Sequence, residues 1–206
     1  MRVINPAEHV ANDIYKLMIG VIVPRPIAFV STVDLGGVRN LAPFSYFTGC
    51  STNPPVVCFC AAVRQGTQPQ KDTLLNIEAT GEFVVNIVSE ELAAQMNMTA
   101  AEAPPEVDEF ILSGLTPLAS ELVRPPRVAE SKVHMECRLR QIVRVSDKPG
   151  GGSLVLGEVL RFHVREEVLL DGLKIDPDEL NAIGRMGGPA YVRTHDRFVM
   201  QRPKWT

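Results

Sequence analysis

Residues 37 to 55, GVRNLAPFSYFTGCSTNPP, combine features that surface loops and core strands rarely share. Three aromatic residues, Phe44, Tyr46 and Phe47, lie among small hydroxyl and amide residues that run from Asn40 to Ser51. Amide and hydroxyl groups beside aromatic walls suit a flat heteroaromatic ring, which needs hydrogen bonds along one edge and apolar contact on its faces. Core packing is the other explanation of the aromatic residues, and we expect it to hold for at least one of the three.

The composition is that of an ordinary globular protein. The chain has 206 residues, of which 45% are hydrophobic and 22% charged, and its mean hydropathy is +0.05. These values predict a single domain, residues 1 to 206, with a core of its own. The net charge of −3 argues against binding to nucleic acid, because the neutralisation of phosphates needs a basic stripe. No apolar run is long enough to span a bilayer, so we expect no membrane segment and a small ligand.

The four cysteines, Cys50, Cys58, Cys60 and Cys137, form no CxxC pair. No apolar leader opens the sequence either, and together these features predict free thiols in a reducing cytoplasm. Cys58 and Cys60 would share one face of a strand. Burial as two small apolar residues explains them better than a redox pair does.

Apolar runs, alternation and turn residues predict a mainly-β chain. The predicted strands are Ile27 to Val33 and residues 54–63, 81–88, 133–139 and 154–164, the last two forming a long antiparallel hairpin. Three helices are predicted. The first begins at Asp72 and ends at Gly81, and the others span residues 89–98 and 176–183. Proline-rich residues 99 to 126 read as an irregular excursion. Six or so strands with few helices favour an antiparallel barrel over repeated βαβ units.

The usual catalytic signatures are missing from the sequence. There is no GxGxxG after a strand, no phosphate-binding GxxxxGK[ST], no HExxH and no GxSxG. The four histidines are scattered, whereas a metal site needs three or four converging ligands. We therefore expect neither a metal ion nor a side-chain nucleophile.

A second candidate site follows at residues 71 to 73. Lys71 and Thr73 flank Asp72 at the predicted start of a helix, where backbone N–H groups and the helix dipole favour an anion such as phosphate. The alternative is that Asp72 only caps the helix while Lys71 is solvated.

These segments together resemble a known family. The run PRPIAFVSTVDLGGVRNLAPFSYFTGCSTNPPVVCFC, followed by KDTLLNI, EFVVNIV and IGRMGGPAYVRT, is similar to the flavin reductase-like family of FMN-binding split barrels, which includes flavoredoxin-like proteins. The resemblance covers nearly the whole chain. It implies a six-stranded antiparallel split β-barrel with a few flanking helices, which forms a homodimer with FMN near the subunit interface.

The resemblance also implies which residues bind the cofactor. The ring would be lined by Asn40, Leu41, Ala42, Pro43 and Ser45, with Ser51 at the end of the same stretch. Ser31 and Thr32 would lie along the ribityl chain or phosphate, and Lys71, Asp72 and Thr73 would receive the phosphate. Arg25, Arg185 and Tyr191 fall in family-like motifs and would touch the flavin or shape its pocket. The excursion would cover the flavin face.

The activity implied is that of a flavin reductase, in which NADH or NADPH passes hydride to the flavin ring and the protein only holds and orients the reactants. The electrons would go to a partner monooxygenase or another acceptor. Two alternatives remain open: an FMN-containing electron carrier that does not oxidise nicotinamide itself, and a module that has lost its flavin.

Overall fold

The computed structural model describes residues 1–64 and 70–205, so residues 65–69 of the predicted polar loop lie outside the described part of the chain. The α-helices of the described residues are α1 Ala11–Val21, α2 Asp72–Thr80, α3 Ala93–Met98, α4 Glu109–Ser113 and α5 Pro177–Leu180. Short 3-10 helices span Pro6–Glu8, Glu90–Leu92 and Glu166–Val168. The strands are β1 Ala28–Val33, β2 Arg39–Phe44, β3 Phe47–Thr52, β4 Pro55–Ala62, β5 Glu82–Ile87, β6 Pro117–Leu118, β7 Arg127–Val128, β8 Val133–Ser146, β9 Gly152–Val164, β10 Leu169–Leu170, β11 Lys174–Ile175, β12 Ile183–Arg185 and β13 Tyr191–Arg193.

One large antiparallel sheet dominates the fold. Its strand order is β2, β1, β5, β8, β9, β4, β3, while β6 with β7, β10 with β11 and β12 with β13 form two-stranded pairs. This architecture confirms the predicted mainly-β, antiparallel class. The sheet has seven strands where the sequence predicts six, because the polar stretch from residue 37 to residue 55 folds into β2 and β3.

The single proline within β2 determines which edge of that strand is free. Phe29 of β1 lies opposite Pro43 of β2. Since Pro43 has no N–H to give to the ladder, this pair must be one of those that do not exchange hydrogen bonds. Alternation then directs the backbone groups of Leu41 and Pro43 away from β1. Arg39 has the same parity, so the outer edge of β2 presents the amides of Arg39 and Leu41 but none at Pro43, together with the carbonyl groups of these residues.

Aromatic packing closes the sheet into a barrel. Phe44 of β2 and Phe59 of β4 have ring centroids 4.7 Å apart, although their strands lie near opposite ends of the sheet. Phe59 in turn meets the ring of Phe83 edge-on at 5.6 Å. All three rings belong to one buried apolar cluster. Core packing is therefore the correct explanation of Phe44.

A second core lies on the outer face of β1 and β2. Phe29 and Leu41 point into it from the sheet, and Phe110 and Leu115 cover them from the excursion. Phe110 is 1% exposed, so the excursion is a packed layer rather than loose chain. The sequence does not reveal this packing, because prolines on both sides of the short helix α4 are typical of an irregular segment.

Most of the remaining elements follow the sequence, but α5 is shorter than the helix predicted over residues 176–183, because Asn181 is left-handed and Ile183 begins β12. Helix α2 ends at Gly81, whose φ of 72° is the left-handed conformation that glycine adopts without strain. Strands β8 and β9 form the predicted long hairpin, and Asp176 caps α5 by accepting hydrogen bonds from the backbone N–H groups of Asp178 and Glu179. Across residues 1–64 and 70–205 the helices are all too short or too polar to cross a bilayer.

Close packing against Gly157 of β9 gives a test of the barrel core. A Cβ at this position would overlap the ring of Phe83. Gly157→Ala should therefore lower the free energy of unfolding by about 1–3 kcal/mol, measured by urea denaturation. Gly49→Ala on β3 is the matched control, because a Cβ there meets nothing within 4 Å. Equal effects of the two substitutions would contradict the packing described.

Candidate functional site

The N-terminus of α2 is the first part of the site. The helix begins at Asp72 as predicted, but Lys71 takes the N-cap position and its side chain makes no capping hydrogen bond. The Asp72 carboxylate lies 3.4 Å from Nη2 of Arg64. Lys71 is half-buried. The alternative of a capping Asp72 beside a solvated Lys71 is therefore wrong.

Two cations meet at this end of α2. Burial, together with the positive charge of Arg64, lowers the pKa of Lys71, and the nearby Glu102 and Asp72 offset this only in part. The Arg64 side chain is 14% exposed, and its Nε lies 3.6 Å from Oε1 of Glu102, which is an ion pair too long for a hydrogen bond. The buried Nε–H has no hydrogen-bond partner among the described residues. A buried N–H without a partner next to a second cation and a helix N-terminus is a favourable place for an oxyanion.

A hydrogen bond joins this cluster to β2. Asn40 Nδ2 donates to the Thr73 hydroxyl over 2.9 Å, and both residues are buried. One turn further along α2, Asn76 Nδ2 donates to the hydroxyl of Thr32 over 3.0 Å. The structure thus brings together Asn40, Thr32 and Thr73, which lie far apart in the sequence. The segment that begins at Asn40 and the loop of residues 71 to 73, which the sequence analysis treats as separate candidates, therefore lie side by side.

Ser31 lies on the other face of β1. Its hydroxyl donates to the carbonyl of Pro126 over 2.5 Å and is fully buried under the end of the excursion. Adjacent residues of a strand point to opposite faces, so Ser31 and Thr32 cannot both face α2. Ser31 therefore contacts the outer layer at Pro126, whereas Thr32 contacts Asn76 of α2.

The free edge of β2 carries a carboxylate from the excursion. The Leu41 amide donates to Glu109 Oε2 over 3.0 Å. Burial raises the pKa of Glu109, as do the charges of Asp72 and Asp108, although the Leu41 amide works in the other direction. Asp108 is held in place by Arg39, with Nη2 and Oδ2 2.5 Å apart. The Leu41 amide, which the sequence analysis assigns to a ring, is therefore already bonded to Glu109.

Arg25 organises the residues beyond Pro43. It is 4% exposed, and its Nε donates to the Ser45 hydroxyl over 3.2 Å. Nη1 donates to the carbonyl groups of Ile19 and Ile22, each at 2.7 Å, and Nη2 donates to that of Met186 at 2.9 Å. Four bonds within the chain hold this guanidinium. It holds the Ser45 hydroxyl in place.

The other assigned residues lie at three different places. Arg185 stacks on Tyr191, with its guanidinium 4.5 Å from the ring centroid, and its backbone pairs with that of Arg25. Ala42 is half-buried on β2. Ser51 is exposed on β3 and accepts a hydrogen bond from the amide of Asn53. Arg185 and Tyr191 thus belong to the surroundings of Arg25, and Ser51 lies outside the cluster at α2.

Two residues of the site escaped the sequence analysis. Arg64 could have been noticed as a cation that follows a buried strand and precedes Lys71 by seven residues. Glu109 offers no comparable signal, because 68 residues separate it from Leu41. Only the packing of the excursion onto β2 brings the two together.

The assembled groups fit a ligand with a phosphate and a flat polar ring. Cationic and amide donors suited to phosphate lie at α2. Next to them the edge of β2 offers carbonyl acceptors, with the Ser45 hydroxyl following in the chain. A flavin mononucleotide has a matching set of groups, and the residues present are compatible with it.

Comparisons with known proteins agree with this geometry. Residues 20–180 match the model of the flavin reductase like domain. An uncharacterised protein of Aquifex aeolicus is 42% identical over 182 residues, which cover 88% of this chain and 90% of the relative. Nitrilotriacetate monooxygenase component B from Bacillus cereus has 39% identity and a TM-score of 0.92, with 97% of this chain and 98% of that chain covered. The 2-nitrobenzoate 2-nitroreductase NbaA of Pseudomonas fluorescens has 30% identity and a TM-score of 0.89, with 100% of this chain and 98% of that chain covered.

The fold is thus that of the split-barrel flavoproteins. More specifically, the chain belongs to the flavin reductase-like family, because the family model matches most of its length. This confirms the resemblance seen in the sequence. Its structural neighbours are oxidoreductases, which supports an enzymatic role for this chain.

The buried Glu109 carboxylate gives a pH-dependent prediction. Its folded-state pKa is raised, so the folded chain binds more protons than the unfolded chain, and the contribution of Glu109 to stability falls as the pH rises between the two pKa values. Glu109→Gln keeps an acceptor for the Leu41 amide without the charge. The variant should be more stable than the parent at about pH 8, and the difference should shrink towards about pH 5.

Urea denaturation at both pH values measures the effect. Glu109→Ala is the control, because it leaves the Leu41 amide without its acceptor and should cost about 1–3 kcal/mol at either pH. If Glu109→Gln is less stable than the parent at the higher pH, then burial of the ionised Glu109 carboxylate does not destabilise the fold.

Proposed function

We propose that this protein is an FMN-binding flavin reductase that takes electrons from NADH or NADPH. The observation that carries the proposal is the pair of cations at α2, Arg64 and Lys71, with a buried Arg64 N–H that no described residue accepts. The hydrogen bond from Asn40 to Thr73 joins the start of α2 to β2, which supports a phosphate site next to a ring site. A mononucleotide with a phosphate and a polar tricyclic ring satisfies both parts.

Each part of the chain has a role in holding such a ligand. Lys71 and Arg64 would bind the phosphate, with the N–H groups at the start of α2 as further donors. Asn40 and Thr73 fix the spacing between the phosphate site and the ring site. The carbonyl groups of Leu41 and Pro43 accept hydrogen bonds along the ring edge, and Arg25 keeps the Ser45 hydroxyl in place.

The redox chemistry belongs to the cofactor. A bound flavin supplies a ring that accepts hydride from a nicotinamide and passes the electrons on. The chain's own contribution is to orient the ring and to stabilise charge on it through peptide groups and hydroxyls. The proposal assigns no side chain as nucleophile, acid or base, in keeping with the sequence analysis.

We also propose a homodimer with the ring near its interface. Helix α1 exposes several large apolar side chains, among them Tyr15 at 54%, Val21 at 67% and Met18 at 42%. A second chain packed on this exposed apolar face would complete the walls of the ring site. A cytoplasmic location, consistent with the four free cysteines, is part of the same proposal.

The electron acceptor is proposed by analogy. Component B of a monooxygenase is the Bacillus cereus neighbour at 39% identity, and reduced flavin from such a component would serve an oxygenase partner. An electron carrier that does not oxidise nicotinamide itself has the same binding site, so kinetics must separate the two functions.

Spectroscopy tests the reductase directly. Purified protein should show a flavin spectrum, or acquire one when FMN is added, and stopped-flow mixing with NADH or NADPH should bleach it. Bleaching by neither donor, with full reduction by dithionite, would overturn the reductase and leave the electron carrier. A protein that binds no flavin at all would overturn both.

Lys71→Ala tests the phosphate site. Loss of one charge-assisted contact should weaken FMN binding by about 1.5–3 kcal/mol. Riboflavin, which has no phosphate, should bind parent and variant equally. Dissociation constants from flavin fluorescence quenching measure both effects.

Lys174→Ala, which removes an exposed cation on β11, is the control variant and should bind FMN like the parent. If FMN affinity is unchanged in Lys71→Ala, the phosphate lies elsewhere. If riboflavin is weakened as much as FMN, Lys71 acts on the ring or on the fold.

A further inference from the structure

An open cleft lies beside β8 and β9, away from the site at α2. Its volume is about 440 Å³, which is within the range of pockets for small ligands. The residues on which the argument depends are Arg127, Lys132, His134, Phe162, His163 and Arg165. Strand β8 is three positions from β2 in the sheet, or roughly 15 Å at the usual strand spacing. The cleft is therefore separate from the proposed ring site.

His134 lines this cleft and has an unused hydrogen-bonding position. The residue is 5% exposed, and Nε2 lies 2.8 Å from the carbonyl of Val128. A carbonyl can only accept, so Nε2 carries the proton and Nδ1 holds a free lone pair. Nδ1 is buried and has no hydrogen-bond partner among the described residues.

The charge state of His134 supports this assignment. Burial, with the nearby positive charges of Arg127, His163 and Arg165, lowers the pKa of His134 to about 4 despite its bond to Val128. The imidazole is neutral near pH 7, and Nδ1 can only accept a hydrogen bond. A buried acceptor without a donor is costly, so a donor from a ligand would be favourable.

Cations surround this acceptor. Arg127 is held by the carbonyl of Ala119 at 2.7 Å, Arg165 by that of Ala129 at 2.8 Å, and Lys132 by that of Glu179 at 2.6 Å. Carbonyl groups fix the positions of these side chains and do not cancel their charges.

The acidic neighbours offset the charge only in part. Glu91 lies 3.6 Å from Lys132, and Glu167 lies 3.6 Å from Arg165. The carboxylate of the buried Glu136 is hydrogen-bonded to His163 and to the backbone amides of Glu121 and Leu122. Arg127 has no carboxylate partner among the ion pairs of the described residues. Arg127 is therefore the cation of this cleft whose charge no ion pair of the described residues offsets.

An aromatic wall completes the cleft. Phe162 is 54% exposed, which is unusual for so large an apolar side chain on a strand. Leu118 and Val164 also line the space. An apolar wall beside cations suits an anion with a hydrophobic body rather than a bare inorganic ion.

We propose that this cleft binds a small aromatic carboxylate that carries a hydroxyl group. The carboxylate pairs with the cations of Arg127, Lys132 and Arg165, the ring packs on Phe162, and the hydroxyl donates to Nδ1 of His134. The inference does not depend on the flavin site or on the activity proposed above.

Matched ligands test the proposal. Full-length protein with FMN added to saturation is titrated with benzoate and with the 2-, 3- and 4-hydroxybenzoates by isothermal calorimetry. At least one hydroxybenzoate should bind about tenfold or more tightly than benzoate, because only it fills the His134 acceptor. No saturable binding by any of the four probes, or equal binding by all, overturns the proposal.

Two variants assign the contacts. Lys132→Gln should weaken the binding of all four carboxylates severalfold. Lys148→Gln, in the exposed β8–β9 turn, is the control and should leave their binding unchanged. His134→Phe should abolish the advantage of the hydroxyl while benzoate binds as before. Persistence of that advantage in His134→Phe would show that the hydroxyl binds elsewhere.

A measurement on the unmodified chain covers the possibility that His134→Phe does not fold. The ¹⁵N resonance of His134 Nδ1 should shift when the preferred hydroxybenzoate is added and should stay in place with benzoate. An unmoved resonance at saturation with the hydroxybenzoate overturns the assignment. The flavin spectrum is recorded in the same samples, so failure of flavin binding is seen separately from failure of the cleft.

Discussion

The missing amide of Pro43 is the constraint on which the arrangement of the site depends. It requires that Pro43 face away from the β1 ladder, and alternation then decides the direction of every neighbouring group in β2. Asn40 and Phe44 point to the barrel side, where Asn40 reaches Thr73 and Phe44 closes the barrel against Phe59. A slip of one residue would send both to the opposite face. The same proline thus sets the barrel closure and the position of the site.

The excursion completes what β2 leaves open. An edge strand exposes unpaired backbone groups, and proteins cover such edges with other segments or side chains. Here Glu109 takes the Leu41 amide, while the neighbouring Phe110 enters the outer core. One short helix therefore covers both the edge and the face of β2. Any ligand that uses the Leu41 amide has to share it with Glu109, so the excursion is placed to influence how a ring sits at this edge.

Much of this architecture was predictable from local sequence, since strands and helix ends depend on nearby residues. Gly81 marks the end of α2, and alternation in residues 133–139 shows the hairpin strand, because both signals act within a few residues. Strand β3 was less predictable, because its mostly exposed residues show no apolar alternation and gain their order from pairing with β4. Arg64 and Glu109 depend on contacts between distant segments. The alternative in which Asp72 caps α2 fails because the N-cap position belongs to Lys71, while the Asp72 carboxylate lies towards Arg64.

The electrostatics of α2 link binding to stability. Burial, and then the positive charge of Arg64, lower the pKa of Lys71. Asp72, 3.4 Å from Arg64, and the largely exposed Glu102, 3.6 Å from it, offset this only in part. An anion that binds only the folded chain would remove this repulsion and stabilise the protein in proportion to its concentration. The apo chain thus carries an electrostatic penalty at the point where the phosphate is proposed to bind, which is the expected arrangement when a site is organised for its ligand before the ligand arrives.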